Sequence, residues 1–292
     1  MKKHDLVARK YGKTSQTREI LHRLKKNRGA VVGLCIIAAL ILLMIGSFFI
    51  KYEHVTATDL SNRFQPPSLE HPFGTDDLGR DLFLRTMYGT RYSLAIGFGA
   101  TLLAAIVGVF IGSVSGYYGG VVDDLIMRIT DIISSIPAML LGMVIVSILG
   151  GSVINVIIAI GICSVQYYIR ITRASILAIR NSEYVEAAKV IGMSDLKIIF
   201  TQVLPNAFSP VIVTFSATIG IAILVSASLS FIGLGVSVPM PEWGALVSSG
   251  RNVIRTAPHV SIFPGVFIMI TVLAFNILGD GLRDALDPKL KR

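Results

Sequence analysis

Residues able to do covalent or metal chemistry are few in this chain of 292 residues, and their spacing forms no catalytic constellation. The five histidines, His4, His22, His54, His71 and His259, are scattered, and no H-E-x-x-H, G-x-S-x-G or spaced Cys/His set occurs. Gly12 to Thr14 spell GKT, the ending of a phosphate-binding loop, but such a loop needs a glycine five residues before the second one, and position 7 is Val7. Asp76, Asp77 and Asp81 lack the alternating oxygen ligands and distant glutamate of a calcium loop and are expected to stabilise turns. Asp123 and Asp124, with Arg128 and Asp131, have the form of a solvated helix start with acids near the positive end of its dipole. Cys35 and Cys163 fall in apolar runs, where a thiol is a small hydrophobe and implies neither disulfide nor metal. The chain is therefore expected to catalyse nothing, to hold no metal and to bind no cofactor of its own.

What remains is recognition chemistry, concentrated in NSEYVEAAKVIGMSDLKIIFTQVLPN, residues 181–206. Asn181 or Ser182 can cap a helix whose first turns carry Glu183 and Glu186, both suited to the amino-terminal dipole. That helix should run to Gly192, the residue type that best tolerates the left-handed geometry of a helix end. Ser194 can cap a second helix with Asp195 in its first turn and Leu196, Ile199 and Val203 on one face, until Pro205 stops the pattern. Ala187 and Ala188 are small enough to let another surface approach the backbone. Helix, glycine turn and helix make a compact handle for another protein.

The elements that must position this handle are membrane spans. The chain is 53% hydrophobic and 15% charged with a mean hydropathy of +0.69, whereas about a quarter of residues are charged in an ordinary soluble domain. Residues 29–50 carry no charge, and about 22 residues rising ~1.5 Å each cross a bilayer. The run is too long for a signal-peptide core and is expected to be retained. Further apolar runs at 92–115, 132–149, 153–171, 207–234 and 260–278 bring the expectation to six spans. The chain then divides into a basic tail 1–28, a first transmembrane helix 29–50, an outside loop 51–91, a five-span core 92–283 containing the handle at 181–206, and a short tail 284–292.

Orientation follows from the basic residues. With the amino terminus inside, the inside segments hold 20 of the 27 Lys and Arg, so both termini are expected in the cytoplasm. The +9 charge then fits a basic tail lying on anionic inner-leaflet lipid and requires no nucleic acid. Gly108, Gly112 and Gly116 recur every four residues on one helix face and are expected to let a neighbouring helix of the same chain pack closely, a subunit interface being the other possibility.

Glu186, Ala187, Ala188, Gly192, Leu204 and Pro205 resemble the EAA motif of binding-protein-dependent ABC importer permeases, with Gln202 departing from the isoleucine of that pattern. Residues 71–94, 229–251 and 273–292 extend the resemblance, in order along nearly the whole chain, to the C-type permease of the dipeptide, oligopeptide and nickel importers. The resemblance implies an all-α membrane protein with the MetI-like fold of type I importers, in a bacterial plasma (inner) membrane. It also implies a B-type permease partner, two ATPase subunits that bind ATP and Mg, and an extracytoplasmic solute-binding protein. Glu183, Glu186, Ala187, Ala188, Gly192, Ser194, Leu204 and Pro205 become the expected ATPase-coupling positions. Asp76, Asp77, Arg80, Asp81, Trp243 and Arg251 are candidate contacts for the binding protein. Asn155, Gln166, Thr214, Ser216, Ser226, Ser228 and Asn276 are candidates to line the path, although small hydroxyls in spans more often bond helix to helix. Di- and oligopeptides are the expected cargo, with nickel chelates or glutathione as alternatives. A secondary transporter working without an ATPase is the rival class, disfavoured because the spans are almost free of charge at mid-membrane depth.

Overall fold

A computed structural model describes residues 16–237 and 239–286, and the described residues are helical apart from loops and one isolated bridge between Thr75 and Asp81. The GKT segment and both extreme tails lie outside the described residues. Helix α1, Gln16–Lys26, precedes α2, Arg28–Ser47, and Asn27 between them accepts a 3.1 Å bond from Ala30 N and so caps the first span. A short helix α3, Tyr52–Thr56, and a 3-10 turn at Leu60–Asn62 lead to α4, Leu82–Tyr118. Then come α5, Gly120–Ser135, α6, Ala138–Leu149, and α7, Val153–Leu177. After the handle, α11, Ser209–Phe231, leads to the short α12, Trp243–Ser249, and the chain returns through α13, His259–Leu286. The handle itself contributes α8 to α10, described below.

Five helices, α2, α4, α7, α11 and α13, are long and apolar enough to cross a membrane. Two of the expected boundaries are corrected. The run 132–149 is not one straight span: α5 and α6 meet at an angle of 87°, and six crossings result only if this bent pair makes one. Pro137 causes the break, since it has no N–H to donate and holds Ile136 in the extended region at φ −91°, ψ 125°. The second span begins at Leu82, ten residues earlier than expected, because Asp81 caps it by accepting from Leu84 N at 2.8 Å. With 37 residues, α4 is about 55 Å long, longer than a ~30 Å hydrocarbon core. The loop that starts at 51 accordingly closes at 81.

The glycine stripe belongs to the interior. A Cβ on Gly112 would meet Ile169 O at 2.6 Å, one on Gly116 would meet Arg173 O at 3.0 Å, and one on Gly108 would run into Tyr168, so α4 and α7 touch backbone to backbone. Close approach recurs between the ends of the chain, where Gly33 faces Ala274 O and Gly281 faces Ala30. Ile20 and Leu24 of α1 pack there against Leu282 and Ala285, closing the first and last spans on each other.

Candidate coupling surface

The polar segment between α7 and α11 folds as expected in outline. Helix α8, Glu183–Val190, is followed by Gly192 at φ +80°, then by α9, Asp195–Ile198, a π turn at Ile199–Val203, and α10, Leu204–Ala207. The end of α8 is a complete Schellman arrangement: Gly192 N donates to Lys189 O at 3.0 Å and Met193 N to Ala188 O at 3.1 Å. Three local expectations are corrected. Ser182 and Ser194 do stand at the cap positions, but neither side chain caps; the Ser182 hydroxyl donates backward to Ile179 O at 2.7 Å. Pro205 does not stop the helix, because it occupies the first turn of α10, where a missing N–H costs no bond, and the preceding π turn absorbs the change in register.

The segment has two unlike faces. Inward, Val185, Ala188, Ile198, Ile199, Val203 and Ala207 are buried with Tyr117 of α4 and Ile176 of α7 in one apolar cluster. Tyr117 donates its hydroxyl to Asp195 at 2.9 Å, and Lys189 stands over the Tyr117 ring at 5.4 Å. Outward, Glu183, Glu186, Ala187, Gly192 and Ser194 are exposed, and so is the apolar tip, with Val190 86% and Ile191 76% accessible. Ala188, expected at the contact, instead faces the body and lets the handle sit down on it. Leu204 is half-buried and Pro205 exposed. Gln202, half-buried in the π turn, accepts at its carbonyl from Asn206 Nδ2 at 2.7 Å.

An ion pair beside the handle was hidden from sequence reading. Asp123 is buried, not solvated: it accepts two bonds from Arg173 at 2.5 and 2.6 Å and one from Ser115. The pair ties α5 to α7 and α4. Arg180, at the foot of α7, donates to Gly116 O at 3.1 Å.

At the far end of α4, the loop from 51 to 81 is folded around Asp76. That carboxyl accepts from Leu78 N, Arg80 N and Arg80 Nε at 2.9, 3.0 and 2.7 Å, and Arg85 Nε lies 3.3 Å away. Asp81, besides capping α4, pairs with His71 Nδ1 at 2.7 Å. Trp243 is buried, its indole donating to Thr86 O at 3.0 Å. Of the six candidate contacts for a binding protein, Asp76, Arg80 and Trp243 are therefore interior and Asp81 is largely covered, while Asp77 is partly exposed and Arg251 exposed.

The candidate path residues separate in the same way. Asn155 donates to Leu149 O and Gly150 O and closes the end of α6, and the Gln166 amide receives the Ser134 hydroxyl. Ser216 and Ser228 bond back to Val213 O and Leu224 O of their own helix, and the buried Ser226 hydroxyl has no partner. Thr214 and Asn276 share a cleft of about 600 Å³ also lined by Tyr167, Thr218, Asp280 and Arg283. Those last residues were missed, although Asn276, Asp280 and Arg283 stand at i, i+4 and i+7 and so mark one polar face of α13.

Residues 108–292 match the model of the binding-protein-dependent transport system inner membrane component. The chain belongs to this family. Residues 15–67 match the N-terminal TM domain of oligopeptide transport permease C. The permease is 48% identical to the dipeptide transport system permease protein DppC of Alkalihalophilus pseudofirmus, over 96% of this chain and 92% of that protein. It is 41% identical to the oligopeptide transport system permease protein OppC of Bacillus subtilis, over 94% and 90%. The glutathione transport system permease protein GsiD of Pectobacterium atrosepticum is 42% identical over 94% and 91%. Among solved structures, a chain of the inward-facing MetNI methionine ABC transporter matches with a TM-score of 0.58, over 70% of this chain and 97% of its own, at 19% identity. The permease therefore has the MetI-like fold and is a multi-pass membrane protein.

Proposed function

We propose that this permease forms half of the translocation path of an ATP-driven importer and that the segment 181–206 is the surface through which an ATPase subunit drives it. One observation carries this: an exposed tip, Val190 and Ile191, sits on a hairpin whose other face is buried against the ends of α4 and α7 and continues into α11. Apolar side chains held out in water on a braced turn favour a partner's cleft, and force applied there reaches the spans without loss in a loop. ATP and Mg are bound by two partner subunits, and closure of the ATPase pair on ATP shifts the permease between inward-open and outward-open forms. A B-type permease supplies the other half of the path, with Thr214 and Asn276 on this chain's side of it. Both termini lie in the cytoplasm of a bacterial inner membrane, so the loop from 51 to 81 faces outward, where a solute-binding protein delivers cargo to exposed groups such as Asp77 and Arg251.

Di- and oligopeptides are the cargo this reading favours, supported by the names of the DppC and OppC relatives; the GsiD relatives make glutathione the second candidate. Thermal unfolding of the cognate binding protein with a dipeptide panel and with glutathione decides between them. A rise in its midpoint with dipeptides alone supports peptide import, and a rise with glutathione alone overturns it.

A further inference from the structure

Glu242 is wholly buried at the end of the bundle opposite the hairpin, in the turn that opens α12, and none of the ion pairs among the described residues includes it. Burying an acid is costly unless hydrogen bonds replace the lost water, and here three elements supply them. Ser230 at the end of α11 donates to Oε2 at 2.8 Å, and Ala245 N of α12 donates to the same oxygen at 3.0 Å. Ser93 of α4 lies 3.3 Å from Oε1, and its hydroxyl also accepts from Trp243 N at 3.1 Å. Trp243 then fills the space between Leu40, Ile219, Ile223 and Ile268.

The surrounding backbones leave no slack. A Cβ on Gly89 of α4 would collide with Pro241 O, and one on Gly244 would collide with Ala227 of α11. The cap formed by residues 241–249 is thus fixed to α4 and α11 by a buried acid, a buried indole and two close glycine contacts. These are also two helices that reach the hairpin: α4 carries Tyr117, bonded to Asp195, in its last turn, and α11 starts two residues after α10.

We propose that Glu242 is a positioning residue that locks the cap helix to α4 and α11, so that displacement of the hairpin moves the cap at the opposite end of the membrane in the same stroke. The proposal rests on the coupling role given above to residues 181–206. Cutting the lock leaves the hairpin able to receive its partner but lets the cap lag, so more ATP is spent for each cargo molecule moved.

The test uses the complete importer reconstituted in proteoliposomes, measuring radiolabelled dialanine taken up per ATP hydrolysed. Glu242→Ala is expected to lower that ratio about fivefold, the lower end of an ordinary coupling energy. Glu242→Gln is expected to keep the ratio near wild type, because the amide oxygen can accept from Ser230 and Ala245 while its NH2 turns to the Ser93 hydroxyl. Ser230→Ala, which removes one donor and no bulk, is expected to lower the ratio less and decides the matter if Glu242→Ala does not assemble. Loss of uptake and ATP hydrolysis in proportion, or an unchanged ratio in Glu242→Ala or in Ser230→Ala, overturns the lock. Equal loss in the Ala and Gln variants overturns it as well. A wild-type complex that takes up neither dialanine nor glutathione with ATP overturns the reading of function instead.

Discussion

Ile191 and Asp123 illustrate two environments at and beside the handle, one exposed to solvent and one buried against the body. Ile191 is 76% accessible on a turn fixed by Gly192, so Ile191→Asp should weaken recovery of the ATPase with the permease at least about tenfold, as loss of a central apolar anchor does, without altering membrane insertion. Pull-down from detergent extracts with matched permease levels measures this. Glu186→Lys, which reverses the charge of an exposed position on the same helix, should act in the same direction. Asp123 acts through structure: Asp123→Ala strands the Arg173 guanidinium and should lower stability by roughly 1–3 kcal/mol, read as a lower thermal midpoint in detergent. The segment itself was legible because a polar island in an apolar sequence has few uses, but its exposed apolar tip, Val190 and Ile191, was not singled out from the sequence. Asp123 was not, because its partner lies fifty residues away and composition alone makes a surface acid of it.

Helices show where hydropathy succeeds and where it fails. The run 29–50 was found nearly to its ends, since an unbroken apolar stretch flanked by basic residues has one reading. The start of α4 was placed late because Arg85 and Arg91 interrupt the apolar pattern, whereas in the fold Arg85 is buried against Asp76 and Val55 O and Arg91 rests on the Tyr88 ring. At Pro137 the proline's missing donor suggests a kink from the sequence alone, but nothing in the sequence gives its size of 87°. The glycine stripe of α4 was read correctly because residues four apart share a face. Gly108→Leu should therefore separate α4 from α7, since the new side chain has Tyr168 and Val165 backbone in its way; overpacking of this kind costs typically about 1–3 kcal/mol. Reduced yield of folded permease in gel filtration checks it, and wild-type yield would contradict the close contact.

At the scale of the whole molecule, α4 and α11 join two unlike ends, a hairpin with an apolar tip and a cap held by buried polar bonds. The lever proposed above rests on these contacts, Tyr117 to Asp195 at one end and Ser230 to Glu242 at the other. The family was visible in the sequence through four short motifs, and the fold followed from it; the cap was not visible, since PEW reads as an ordinary turn until Ser93 and Ser230 are brought to it. The central claim is that the hairpin delivers the work of partner ATPases to the spans. Its most direct measurement is ATP-dependent uptake of radiolabelled dialanine by proteoliposomes containing the complete importer with wild-type or Ile191→Asp permease, inserted in equal amounts. Accumulation by the wild type and loss of it in the variant is the result expected; equal ATP-driven uptake by both would contradict the account.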